Sequence, residues 1–265
     1  MDDESSPFRE LLCQLTAAYR DGKPLVILSD YDGTLTGYFD HPDLAVLSPR
    51  TRSALGKLSA LPNVFVGVVS GRALGNLRQM VQLEGLYYAG TTGLEIDLLG
   101  SVIEHDRAAE LKRWIEPLAT RMHKATEAFA GTWLENKPYG FTAHYRHLDP
   151  NRKADFQSTF QSIVTQTNIP IKTVDVSLGL EMILDIGWNK GTAIDRILDS
   201  ISLDAFVFFA GDAANDLEAF ETARRRQGVT LAIGHEAEFD TDFRFGSPEA
   251  LGELLYRLHE ELSPS

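Results

Sequence analysis

Residues 25 to 36 read Leu-Val-Ile-Leu-Ser-Asp-Tyr-Asp-Gly-Thr-Leu-Thr. An apolar run of strand-forming side chains delivers two carboxylates, Asp30 and Asp32, to the point where Gly33 and Thr34 turn the chain away. In open α/β sheets, ligands gather just beyond the carboxyl ends of strands, so both acids are expected to face a site rather than bulk water. Two carboxylates held together there resist ionisation unless a cation neutralises them. The arrangement asks for a divalent metal, and for chemistry in which one acid is the nucleophile and the other carries protons. An ordinary strand ending in an Asp-Gly turn would need neither, and three further segments bear on the choice.

Val64 to Arg72, Val-Phe-Val-Gly-Val-Val-Ser-Gly-Arg, is a second apolar run, ending in a hydroxyl, a glycine and a base. Ser70 offers its hydroxyl, Gly71 lets backbone N–H groups approach an anion, and Arg72 adds positive charge; the same three residues could also serve as a plain helix cap. In Gly187-Trp-Asn-Lys-Gly-Thr192, Lys190 stands at the start of a helical pattern. There it opposes the helix dipole, so it reads as a compact charge aimed at a phosphate rather than as a helix stabiliser. Ala205 to Gly211 is a third buried-type strand, followed by Asp212-Ala-Ala-Asn-Asp216. Asp212 and Asp216 lie one helical turn apart at the strand's mouth, an oxygen-rich cluster of the kind that suits Mg²⁺.

The elements around these residues alternate. Leu25–Ser29, Val64–Val69 and Leu86–Ala89 read as strands, separated by helical patterns over Pro49–Ser59 and Leu74–Val81, with a small hairpin over Thr92–Ile103. After Lys190 the order is helix Thr192–Leu198, strand Phe206–Ala210, helix Leu217–Arg225, strand Val229–Ile233 and helix Pro248–Leu262. Such alternation predicts an α/β fold, a Rossmann-like parallel sheet with helices on both faces. The middle differs. A helical stretch over Ala108–Phe129, divided or kinked by Pro117, precedes strands Thr132–Glu135 and Thr142–Arg146. Helix Asn151–Gln166 then precedes strands Ile171–Val176 and Glu181–Ile186. The expected organisation is a core of residues 1–105 and 185–265 with an inserted α+β cap (αββαββ) over 106–184.

The net charge of −13 argues against a nucleic-acid or anionic-membrane partner. One cysteine, Cys13, excludes an internal disulfide framework and fits a reducing cytoplasm. Cys13 lies among Phe8, Leu11, Leu12 and Leu15 and is expected to be a packed thiol. With no long apolar run and an acidic start, neither a membrane span nor a signal peptide is expected. Met1–Ser6 and Ser263–Ser265 look frayed, and a monomer is expected.

The four segments, in this order, resemble the haloacid dehalogenase superfamily of phosphohydrolases in Asp30-x-Asp32-Gly33-Thr34, Ser70, Lys190 and Gly211-Asp212-x-x-Asn215-Asp216. The resemblance implies that Asp30 attacks phosphorus to form an aspartyl-phosphate, and that Asp32 protonates the leaving oxygen and then activates water. It implies also that Ser70 and Lys190 hold the phosphoryl oxygens, with Asn215 beside them. Asp30, Asp212, Asp216 and the backbone carbonyl of Asp32 are the implied Mg²⁺ ligands. Within the superfamily the chain looks most like the trehalose-6-phosphate phosphatases. That likeness rests on Asp30-Tyr31-Asp32-Gly33-Thr34-Leu35, Val69-Ser70-Gly71-Arg72, Tyr88-Ala89-Gly90-Thr91-Thr92-Gly93-Leu94-Glu95, Glu135-Asn136-Lys137 and His144-Tyr145-Arg146. It implies that Glu135, Lys137, His144, Arg146 and Glu181 read a sugar phosphate, and that the cap closes over the site to exclude water. The chain departs from the family at Thr92, where a histidine is usual, and in Leu184-Asp185-Ile186-Gly187 before the motif lysine. Phosphatases of mannosyl-phosphoglycerate or sucrose-phosphate, a phosphomutase and a non-catalytic sugar-phosphate-binding domain are the alternative functions.

Overall fold

The computed structural model describes residues 6–176, 178–234 and 239–263. Residues 1–5 and 264–265, part of the ends expected to fray, lie outside the described residues; Ser6 opens the first helix and Ser263 caps the last. The chain divides into two compact units, residues 1–103 with 188–265 and residues Glu104–Gly187.

The larger unit is built on one sheet. Its strands are β1 (Leu25–Ser29), β2 (Val64–Val69), β3 (Tyr87–Gly90), β4 (Glu95–Leu98), β5 (Ser101–Glu104), and further on β10 (Phe206–Gly211), β11 (Val229–Ile233) and β12 (Phe243–Phe245). Their spatial order is β12-β11-β10-β1-β2-β3-β4-β5. Pairing is parallel from β12 through β3 and antiparallel between β3 and β4. Alternate residues of β1 go to opposite faces, as a two-residue period requires. Leu25 and Ile27 join one apolar cluster with helices α1 (Ser6–Arg20), α2 (Pro49–Ser59), α3 (Leu74–Val81) and α9 (Pro248–Leu262). Val26 and Leu28 join the other, beneath α7 (Lys190–Ile201) and α8 (Leu217–Arg225). Burial on both sides accounts for the unbroken apolar runs of β1, β2 and β10.

Local chemistry sets the helix ends. Ser48 accepts the Thr51 N–H and Pro49 follows at the first helical position, which starts α2. Asn189 does the same for α7 by accepting the Thr192 N–H. Cys13, expected to be packed, is exposed. Phe8, Leu11 and Leu15 take the buried stripe of α1, and at about 3.6 residues per turn position 13 faces away from it.

The second unit carries α4 (Asp106–Leu111), a 3₁₀ turn over Lys112–Trp114, α5 (Ile115–Thr126), β6 (Trp133–Lys137), β7 (Gly140–His144), α6 (Lys153–Val164), β8 (Ile171–Val176) and β9 (Gly179–Leu184). Its antiparallel sheet runs β6-β7-β9-β8. One face packs on the helices: Phe141 meets Phe160 edge-on, and Phe129 meets Phe156. The long helical stretch expected over Ala108–Phe129 is broken at the 3₁₀ turn just ahead of Pro117. The ring lacks a donor and clashes with the preceding turn.

Candidate active site

Three neighbouring strands end together, because β10, β1 and β2 are adjacent and parallel. Asp30 follows β1 directly, and its backbone N–H donates to Ala210 O of β10 at 2.9 Å. Asp212 follows β10 and Ser70 follows β2. Side chains from sequence positions some 180 residues apart therefore share one edge of the sheet.

Lys190 occupies the centre. It is completely buried, and its ammonium lies 2.8 Å from Asp30 Oδ1 and 2.6 Å from Asp216 Oδ1, with Asn215 Oδ1 accepting at 3.4 Å. Burial alone would strip the charge from this lysine, but the Asp216 and Asp30 carboxylates more than offset that cost and raise its pKa above the ordinary value. Asp30 is raised well above the usual carboxylate range, by burial first; Lys190 works against the rise, and Asp216 and Asp212 add to it. Asp216 is fixed by its backbone surroundings, since its Oδ2 accepts the N–H groups of Asp212 and Ala213 at 3.0 and 3.1 Å.

Asp212 is held from two sides. Thr34 Oγ1 donates to its Oδ1 at 2.9 Å, and the Tyr38 hydroxyl donates to its Oδ2 at 2.6 Å. Burial raises its pKa too, while these two hydrogen bonds pull the other way. Tyr38 is 58 % exposed as a residue, yet its anchored hydroxyl keeps its proton far above the ordinary range, through loss of solvation and then the Asp212 charge. Tyr38 lies outside every motif in the sequence; only the fold brings it to Asp212.

Glycines let the backbone close in on these acids. Gly33 has φ +87°, and a Cβ there would stand 2.1 Å from Asp212 Oδ2. A Cβ on Gly211 would stand 2.6 Å from Asp216 Cγ. The chain thus encloses the acids as tightly as atoms allow.

Asp30, Asp212 and Asp216 each offer an oxygen, all within 4.8 Å of one another. Three hard carboxylate donors converging on one spot fit Mg²⁺ rather than a softer metal. The Asp32 side chain is not among them. It is gripped by Arg72, whose Nε and one terminal nitrogen donate to its two oxygens at 2.7 and 2.6 Å. The same guanidinium reaches Asn76 Oδ1 and Pro42 O and sits 5.1 Å over the Tyr31 ring. Such a fork-to-fork pair fixes direction as well as charge. Tyr31 is in turn buried and donates to Ala45 O at 2.6 Å; burial raises its pKa to about 12.

Ser70 is buried, and its Oγ accepts the Arg72 N–H at 3.2 Å, so the hydroxyl hydrogen remains to donate to an anion. Gly71 has open space, with Thr92 Oγ1 the nearest atom to an added Cβ at 3.8 Å. Beside them Thr91 and Thr92 adopt φ of 47° and 57°, a left-handed conformation that costs non-glycine residues about 1–2 kcal/mol each. Hydrogen bonds from their N–H groups to Arg72 O and Ser70 O, and from Thr91 Oγ1 to Glu95 Oε2, hold the turn.

The residues singled out in the sequence for the second unit form a group of their own. Glu135, Thr142 and Glu181 align across β6, β7 and β9, on the face opposite Phe141. Lys137, half-buried, pairs with the buried Glu181 at 2.5 Å. His144 reaches Glu135 at 3.0 Å while stacking on Trp133 with ring centroids 3.9 Å apart. In the middle of this row the Thr142 hydroxyl is buried with no hydrogen-bond partner among the described residues, a condition that calls for a ligand or water. Arg146 is half-buried just beyond β7.

The fold of this chain is shared with known proteins. The C-terminal domain of the trehalose-6-phosphate phosphatase from Candida albicans superposes with a TM-score of 0.79 at 20% identity, over 94% of this chain and 96% of that one. Probable trehalose-phosphate phosphatase H of Arabidopsis thaliana is 29% identical over 259 residues, covering 91% of this chain and 73% of that protein. The trehalose-phosphate phosphatase of Mycobacterium tuberculosis is 28% identical, over 89% of this chain and 61% of its own length. The trehalose-phosphatase family model matches residues 28–244, which begin in the strand before Asp30 and run into β12. This chain therefore belongs to the trehalose-phosphatase family and is a phosphatase of phosphoric monoesters.

Proposed function

We propose that the chain is a Mg²⁺-dependent phosphatase that hydrolyses trehalose 6-phosphate through an aspartyl-phosphate. The observation that carries the chemistry is the meeting of Asp30 and Asp212, at adjoining strand ends, with Lys190 and Asp216. Asp30 attacks phosphorus, and the bond from phosphorus to the sugar oxygen breaks as the Asp30–phosphorus bond forms. Asp32 gives its proton to the departing oxygen, then takes one from the water that cleaves the phospho-Asp30 bond. Lys190 and Ser70 donate to the phosphoryl oxygens, where charge spreads as the transfer proceeds. Mg²⁺ held by Asp30, Asp212 and Asp216 would supply further neutralisation of that charge. Arg72 keeps Asp32 aimed, and Asp32 must exchange a guanidinium contact for a proton before it can act as an acid. A lone exposed cysteine suits the cytoplasm, where thiols stay reduced, and we assign the enzyme to that compartment.

Asp32→Asn separates the two steps. The amide can neither protonate a sugar oxygen nor activate water, so turnover of the sugar phosphate should fall by roughly 10²–10⁴-fold. An aryl phosphate leaves without that proton, so phosphoenzyme should accumulate with this substrate and be trapped by acid quench. Failure to trap any phosphorylated protein would remove the proton-carrying role from Asp32.

The sugar is assigned to the cap face that carries Glu135, Lys137, His144 and Glu181. Its buried Thr142 hydroxyl, without a partner among the described residues, and its paired charges suit a ligand dense in hydroxyl groups. The test is phosphate release, in the presence of Mg²⁺, from trehalose 6-phosphate, sucrose 6-phosphate, mannosyl-phosphoglycerate and an aryl phosphate. Trehalose 6-phosphate should lead. Glu135→Ala and Lys137→Ala should cost at least about tenfold more in kcat/KM with the disaccharide than with the aryl phosphate, because remote binding energy serves the chemical step. Equal losses on both substrates would mean that these residues serve the folding of the cap, and preference for another phosphate would replace the assigned sugar.

A further inference from the structure

Tyr38 has little structural reason to be where it is. The residue is 58 % exposed and follows a glycine in an irregular segment, so its burial contributes little to the fold. Its defined tie is a 2.6 Å hydrogen bond from the phenol to Asp212 Oδ2. Thr34 holds the other oxygen of the same carboxylate at 2.9 Å. An Asp side chain turns freely about its last torsion, and one donor leaves it able to pivot. Two donors on different oxygens fix the plane of the group. Each carboxylate oxygen has two acceptor positions, so both oxygens can hold these donors and still present a lone pair toward Asp30 and Asp216.

We propose that Tyr38 is a positioning residue for the metal site: its hydroxyl orients Asp212 so that the three carboxylates receive Mg²⁺ without rearranging. The inference rests on the reading of Asp30, Asp212 and Asp216 as the Mg²⁺ site. Hydrogen-bond partners of metal ligands typically affect affinity by 10–100-fold. Donation from a phenol also withdraws some charge from the ligand, which works against binding. Orientation is the larger effect here because the phenol and the Thr34 hydroxyl brace the two oxygens of this carboxylate separately, and without the phenol the group is held at one oxygen.

The test is calorimetric titration of MgCl₂ into the wild-type chain, Tyr38→Phe and Tyr38→Ala, with the melting temperature of each measured in EDTA. Tyr38→Phe should weaken Mg²⁺ binding about tenfold, with Tyr38→Ala no worse than a further factor of about two, since the hydroxyl and not the ring does the work. Melting in EDTA should be little changed. In turnover, the Mg²⁺ concentration for half activity should rise more than turnover at saturating Mg²⁺ falls. Equal or tighter Mg²⁺ binding by Tyr38→Phe, with the wild type binding normally, would overturn the inference and leave the metal site standing. So would a defect confined to Tyr38→Ala, which would assign the effect to the ring. Absence of Mg²⁺ binding by the wild-type chain would remove the metal site and this inference together.

Discussion

Asp30→Asn should abolish phosphate release, by on the order of 10⁴-fold or more, while the protein remains folded. The amide keeps the shape of the carboxylate but cannot attack phosphorus. Stability should survive for a reason specific to this site. Burial raises the pKa of Asp30, so its charge is held at a cost, and a neutral amide is relieved of it. Lys190 keeps Asp216 as its counter-charge at 2.6 Å. The melting temperature should be equal to or above that of the wild type, and no phosphoenzyme should form with any substrate. Turnover within tenfold of the wild-type rate would refute the covalent route, and a collapse of the fold would show that Asp30 is needed to retain Lys190.

Lys190→Met should be the most damaging change to stability. The side chain has no exposure, and two buried carboxylates face its ammonium. Removing one partner from a buried ion cluster costs about 3–5 kcal/mol, because the charges left behind lack compensation. For a chain of this size that is a fall of roughly 6–20 °C in melting temperature. Asp30, already raised by burial, would lose the lysine that opposes the rise, so its carboxyl would bind a proton more tightly still in the folded chain. A carboxyl of that kind loses stability as pH rises, so the deficit should be greatest near neutrality and shrink toward about pH 5. Thermal melts over that range check both statements. A variant as stable as the wild type at neutral pH would mean that Lys190 is not the counter-charge it resembles in the structure.

Much of the frame was legible in the residues. β1, β2, α2, α3, α8, β11 and α9 stand at the bounds that apolar runs, capping side chains and prolines indicate. The signals there are local and strong: Ser48 before Pro49, or the apolar run Leu25 to Leu28 before a polar turn. What the sequence does not carry is pairing at a distance. β12 is three residues long and exists because Phe243 and Phe245 pair alongside Leu231 and Ile233; no periodicity announces so short a strand. The last strand of the second unit lies at Gly179–Leu184, two residues earlier than expected, because its register is fixed by Thr142 opposite Glu181 and by Ile171 opposite Leu184. At the site, the acids and the lysine are visible as types, whereas the Arg72–Asp32 grip spans 40 residues and the Tyr38–Asp212 bond 174. Arg72 reads from the sequence as a positive charge for the substrate; the fold commits it to an acid.

The close approach of Gly33 and Gly211 to the two acids bears on how natural variation in such chains is judged. Variation at a catalytic centre is usually searched for as the disappearance of a working group. Here the reverse holds as well: a single methyl carbon gained at either position would collide with a carboxylate that is itself unchanged. A chain carrying alanine at position 33 or 211 could retain every acid, the lysine and the serine, pass any inventory of its reactive groups, and still be inert.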